Sequence, residues 1–215
     1  MSIRILLVDD HEIFTDGLRS LLSGEPDLEV VGQVADGRTA IGEVVECRPD
    51  VIVMDVSMPG LNGIEASREI KSLRPDVKVL ILSMHAEGRF VQAALHAGAS
   101  GYLLKECVLE ELVRAIRAVA ANQVYLSPAV AGTVVEAVRA GRSDAVASAF
   151  TVLTDRERTV LQLLAEGQST KEIAACLHLS IKTIGTHREH IMKKVDIDNI
   201  AGLTKYAIRE GLTSS

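Results

Sequence analysis

The chain has 215 residues, 47% of them hydrophobic and 24% charged, with a net charge of −6. That length admits one large domain or two small ones, and the acidic balance excludes a nucleic-acid binder that is basic throughout. Residues 1–130 sum to −7 and residues 131–215 to +1, so the two parts are suited to different tasks.

The longest apolar runs, VIVM (51–54) and VLIL (79–82) among them, are far too short to cross a bilayer. Acid follows the first apolar run directly, which is not a signal-peptide layout. Cys47, Cys107 and Cys176 show no C-x-x-C spacing and suit packing roles in a reducing compartment. The expected location is cytoplasmic, with no membrane partner.

In chain order, short β-branched runs fall at 3–8, 29–34, 51–54, 78–82 and 101–104. Segments of helical spacing alternate with them at about 12–23, 37–47, 62–73, 87–97 and 108–122. Strands that are apolar almost throughout are buried on both faces. The alternation therefore predicts a doubly wound, flavodoxin-like parallel sheet of five strands in the order 2-1-3-4-5, over residues 1–122. Residues 123–150 read as a connecting segment with one helix begun near Ser127-Pro128, then a Gly/Ser/Ala-rich linker around 141–149.

Residues 151–215 read as an all-α domain of four helices. Thr154 with Glu157 is a capping-box signal, Gly167 a stop, and Ser180 and Asn199 cap later helices.

Five polar groups fall at the carboxyl ends of the predicted strands. Asp9 and Asp10 follow the first strand, Asp55 the third, Ser83 the fourth and Lys105 the fifth, all on one edge of the sheet, where ligands of such folds sit. Singly, each acid is as well read as a solvated turn residue. Jointly they describe three carboxylates around a hard cation such as Mg²⁺, with Lys105 and Ser83 placed to meet a further anion. That is a phosphoryl-transfer site whose nucleophile is a carboxylate.

LLVDDHEIFTDGL, VIVMDVSMPGLNGIEA, VLILSMHAE and ALHAGASGYLLKE resemble the receiver domain of bacterial two-component response regulators. LTDRERTVLQLLAEGQSTKEIAACLHLSIKTIGTHREHIMKK resembles the LuxR-type helix-turn-helix. In that order, the two resemble the NarL/FixJ subfamily over nearly the whole chain.

The resemblance implies that a histidine kinase phosphorylates Asp55. It implies that Mg²⁺ is held by Asp10, Asp55 and the backbone carbonyl of Ser57, with Asp9 acting mainly through a bound water. It implies that Lys105 pairs with the phosphoryl oxygens, that Ser83 bonds to one of them, and that Tyr102 turns inward when the site is occupied. Read without the family, Tyr102 is a packed strand residue. Glu106 stands where many receivers have a proline in a cis bond, so the backbone there is either strained or differently looped.

In the third helix of residues 151–215, Ile181, Ile184, His187, Arg188, Ile191 and Val195 share a side expected to face the core. Lys182, Gly185, Thr186, Glu189 and Lys193 form the opposite ridge, narrow enough for a major groove of double-stranded DNA. DNA contacts are expected from Lys171, Lys182, Thr183, Thr186, Glu189, Lys193 and Lys194. Glu189 either accepts from a cytosine amino group or pairs with Lys193.

Ala201, Thr204, Ala207 and Ile208 on the last helix are the expected homodimer surface, and pairing would double the phosphate contacts. The reading is a DNA-binding transcriptional regulator switched at Asp55 and not an enzyme, beyond an expected slow removal of its own phosphate. Aspartyl phosphatases of the haloacid dehalogenase type need an acid where this chain has Ser57. The alternative is an atypical constitutive DNA binder whose receiver acts only as a dimerisation module.

Overall fold

The computed structural model describes residues 2–139 and 148–213. The first part alternates strand and helix: β1 (Ile3–Val8), α1 (Glu12–Leu22), β2 (Leu28–Val34), α2 (Gly37–Cys47), β3 (Val51–Met54), α3 (Gly63–Leu73), β4 (Lys78–Ser83), α4 (Gly88–His96), β5 (Gly101–Leu104) and α5 (Leu109–Ala120). Then come β6 (Tyr125–Leu126), α6 (Pro128–Arg139), α7 (Ala149–Val152), α8 (Asp155–Ala165), α9 (Thr170–Cys176), α10 (Ile181–Val195) and α11 (Ile200–Arg209).

The strands form one parallel sheet in the order β2-β1-β3-β4-β5-β6. The first five strands take the predicted order. The sixth corrects the prediction of five: Tyr125 and Leu126 pair with Gly101 and Tyr102, so the segment read as a connection extends the sheet. Two residues are too few to show a strand period in sequence. The predicted linker at 141–149 lies outside the described residues up to 147; its end, Ser148 and Ala149, leads into α7.

Every residue of β3 is buried, and two apolar layers cover the sheet faces. All described peptide bonds are trans, that between Lys105 and Glu106 included.

Helices α8 to α11 enclose a third apolar cluster around Val160, Leu163, Ile173, Ile184, Ile191 and Leu203. The predicted caps are formed. Thr154 and Glu157 make a capping box on α8, and Ser180 and Asn199 accept from Thr183 N and Gly202 N. Gly167 takes a left-handed φ of 84° after α8, a conformation glycine adopts at little cost.

Helix α8 docks on the α/β part. Arg158 Nε donates to Glu65 Oε1 at 2.6 Å, with both side chains 3% exposed. Arg68 Nε lies 3.3 Å from Asp155. At the far end of the helical part, Arg89 donates to Glu210 and to the Arg209 carbonyl at 3.1 and 2.8 Å. Phe150 packs against both the sheet core and the helical core.

A buried charge stripped of its partner is strongly destabilising. Arg158 would keep Asp155 and the Leu153 carbonyl, which limits the loss. Glu65→Ala should therefore lower stability by about 2 kcal/mol and expand the molecule in small-angle scattering. An unchanged melting midpoint and radius would show that the pair does not hold the two parts together.

Candidate functional site

The backbone ladder continues one residue past three strand ends. Asp9 N donates to the Val34 carbonyl, Asp55 N to the Val8 carbonyl and Lys105 N to the Ser83 carbonyl, at 2.8 to 3.0 Å. These bonds aim Asp9, Asp55 and Lys105 at one point. Lys105 Nζ lies 2.7 Å from Asp9 Oδ2 and 2.9 Å from Asp55 Oδ2. Asp55 is 3% exposed, and its Oδ1 accepts from Val56 N at 2.7 Å.

Gly63 closes the site from below. A Cβ there would stand 1.8 Å from the Asp55 carbonyl oxygen, so only glycine fits.

Burial raises the Asp55 pKa to about 6, although Lys105 pulls it down. Burial also works to lower the Lys105 pKa, but Asp55 and Asp9 outweigh it and the ammonium is held above its usual range. The pair is thus a buried carboxylate that is harder to ionise than usual beside a firmly charged amine.

Asp9, Asp10, His11 and Asp55 bring one ligand atom each to within 4.8 Å of one another. Asp10 Oδ1 is buried without a hydrogen-bond partner, 3.2 Å from His11 Nδ1. A carboxylate set with an unused oxygen fits a hard divalent cation. His11 was missed in sequence, although D-D-H is contiguous; its Nδ1 also lies 2.9 Å from Asp9 Oδ1.

Ser83 is fully buried, and its Oγ accepts from His85 N at 3.1 Å. Tyr102, expected to turn inward on occupation, lies inward in this structure and donates to the His85 carbonyl at 2.7 Å. Burial raises its pKa. Ser57 Oγ lies 3.0 Å from His85 Nε2, and burial lowers the His85 pKa, so that ring is neutral at pH 7.

Helix α10, expected to read DNA, differs from expectation in detail. Lys182, Thr186, Glu189 and Lys193 are exposed on α10, and Lys171 on α9. Thr183 is half-buried, and its hydroxyl lies 2.8 Å from Ser180 Oγ within the cap. Lys194 is held by Glu157 at 2.6 Å, which turns an expected phosphate contact into a brace between α10 and α8.

Ile181, expected in the core, is 56% exposed in the first turn. Among the described residues neither Arg188 nor Glu189 forms an ion pair, so the Glu189–Lys193 alternative is absent. His190, missed in sequence, lines a groove with Lys182 and Thr186. On α11, Ala201 and Ile208 are exposed and Thr204 is half-buried. Ala207 is fully buried in the helical core and is removed from the expected dimer surface.

Residues 5–117 match the response regulator receiver domain, and residues 151–207 match the luxR family of bacterial regulatory proteins. The chain belongs to the NarL family of response regulators. It is 38% identical to the transcriptional regulatory protein LiaR of Bacillus subtilis (strain 168), over 99% of this chain and 100% of that one.

The crystal structure of the response regulator ChrA, from a heme-sensing two-component system, matches with a TM-score of 0.53 and 34% identity, over 98% of each chain. An RcsB–DNA complex matches with a TM-score of 0.61 and 26% identity, over 98% of this chain and 99% of that one. This response regulator is thus a DNA-binding transcriptional regulator of a two-component system. None of its described helices is long and apolar enough to cross a membrane.

The raised Asp55 pKa has a consequence for stability. Below about pH 4 folded and unfolded chains both hold the proton; between about 4 and 6 only the folded chain does. Folding stability therefore falls as pH rises from about 4 to about 6 and levels off above that. Asp55→Asn removes this loss while Lys105 keeps Asp9. In EDTA the variant should exceed the wild type by about 1–3 kcal/mol at pH 7.5 and by about half as much at pH 5, in urea titrations. A pH-independent difference would contradict the assignment.

Proposed function

We propose that Asp55 is the phosphoacceptor of this response regulator and that a histidine kinase supplies the phosphoryl group. The observation that carries the reading is the shared Lys105 ammonium between Asp9 and Asp55. An Asp55 oxygen forms the new bond to phosphorus as the donor's bond to phosphorus breaks. Lys105 meets the charge on the transferred group, and Ser83 offers a hydroxyl to one of its oxygens.

Asp10, Asp55 and the Ser57 carbonyl would hold Mg²⁺, with Asp9 acting through water. The cation would neutralise charge on the transferring phosphoryl group. In this reading residues 1–122 are the receiver, 123–150 the connection and 151–215 the DNA-binding domain. The protein works in the cytoplasm and is no enzyme beyond slow loss of its own phosphate.

With acetyl phosphate and Mg²⁺, intact-mass measurement should show one phosphoryl group on the wild type and none on Asp55→Asn. An unchanged mass gain in the variant would overturn the assignment. Asp10→Ala should raise the Mg²⁺ needed for half-maximal labelling at least about tenfold.

We further propose that α10 enters the major groove of double-stranded DNA, through Lys182, Thr186 and Glu189, and that two copies pair through Ala201, Thr204 and Ile208. Lys171 and Lys193 would contact phosphates. Lys193→Ala should weaken binding about equally on matched and scrambled duplexes and flatten the salt dependence by about one unit of slope. Thr186→Ala should cost about 1–3 kcal/mol on the matched duplex alone. Equal losses for Thr186→Ala on both duplexes would remove it from base readout.

A further inference from the structure

The loop that follows the phosphoacceptor, residues 56–62, is gripped by a helix of the other domain. Gln162 of α8 is fully buried and spends its amide on this loop and its neighbour. Its Oε1 accepts from Asn62 N at 3.0 Å and from Asn62 Nδ2 at 3.1 Å. Its Nε2 donates to the Met58 carbonyl at 2.8 Å and to Glu166 at 2.9 Å. Glu166 in turn accepts from Gly60 N at 3.0 Å.

A glutamine is mostly found exposed. One that is buried with both amide atoms bonded across a domain boundary is a fitted part.

The gripped loop is continuous with the site. Val56 N donates to the Asp55 carboxylate, and Gly63 N closes the loop by donating to the Val56 carbonyl at 2.9 Å. Ser57 lies between Val56 and Met58, and its hydroxyl meets His85 of the loop after β4. That second loop is covered from the same domain. The His85 ring stacks on Phe90 with centroids 4.2 Å apart, and Gly211 lies so close that a Cβ there would meet Phe90 at 2.6 Å and His85 at 3.3 Å. Both loops flanking Asp55 are thus held by the DNA-binding domain.

We infer that Gln162 and Glu166, in the DNA-binding domain, are positioning residues for phosphorylation of Asp55, restraining the 56–62 loop so that docked α8 opposes phosphorylation. The inference rests on the reading of Asp55 as the phosphoacceptor, and it adds that the phosphoryl group releases the docked domain. Its sign follows from reciprocity. If phosphorylation weakens docking by some factor, docking weakens the phosphorylated state by the same factor. The coupling passes through backbone groups of residues 58–62, within seven positions of the nucleophile. It does not depend on covering the readout helix, whose Lys182, Thr186 and Glu189 stay exposed.

The test uses the full-length chain, acetyl phosphate and a range of Mg²⁺ concentrations, with labelling followed by intact mass. Gln162→Met keeps the volume and removes the hydrogen bonds; Glu166→Ala, at a less buried position, guards against a folding failure of the first. If only the released loop accepts the phosphoryl group, the labelling rate scales with the released fraction, so both variants should label about fivefold or more faster than the wild type, with far-UV circular dichroism like its own. Arg89→Ala, which loosens the other contact without touching the 56–62 loop, should gain less.

Rates in Gln162→Met and Glu166→Ala at or below the wild-type rate would overturn the inference, as would an equal gain in Arg89→Ala. A wild-type chain that labels normally beside unresponsive variants would leave the phosphoacceptor reading standing. A wild type that takes no label at Asp55 would sink both.

Discussion

A carboxylate at the end of a strand buried on both faces can remain there only if a cation reaches it without water. Lys105 does so for Asp55, and the geometry of the receiver follows from that requirement. The ammonium must arrive from a strand two places away, β5, and it is steadied by a second acid, Asp9, from the neighbour on the other side. Sheet order, parallel direction and the ladder bonds just beyond the strand ends are what bring the three together. The arrangement leaves Asp55 poorly solvated; in the proposed phosphoacceptor role, a divalent cation joining it would favour the ionised form that reacts.

The same site borders the docked helical domain. The loop leaving Asp55 is short and internally bonded, so it has little freedom to absorb a change at the carboxylate alone. Its outward-facing backbone groups, which an isolated receiver would offer to water, are bonded to α8. In the proposed switch, a change of charge and size at Asp55 would act on a contact that is either docked or released, the kind of two-state element through which distant sites are coupled. The helical domain docks on the β3–α3 loop, α3 and α4.

The strands and the acid cluster were legible because they obey local rules. Buried parallel strands read as unbroken apolar runs, and Asp9, Asp10, Asp55, Ser83 and Lys105 each interrupt one at its end. The caps at Thr154, Ser180 and Asn199 were legible for the same reason. What was not legible depends on contacts between distant residues. Arg158 reads as a solvated helix residue until Glu65, 93 positions away, is placed beside it. Lys194 reads as a phosphate contact until Glu157 takes it. Ala201 and Ala207 lie six positions apart on one short helix, and only the packing of α11 on α8 decides which of them is core.

The most direct measurement is amide hydrogen exchange across residues 58–63 of the full-length protein, with and without acetyl phosphate and Mg²⁺. Gly60 and Asn62 N–H groups donate to the side chains of Glu166, which caps α8, and of Gln162 within it, so their exchange reports the grip itself. The account predicts slow exchange in the untreated protein and faster exchange at these amides after phosphorylation, with the amides of β3 unaffected. Exchange that stays equally slow when Asp55 carries a phosphoryl group would contradict it.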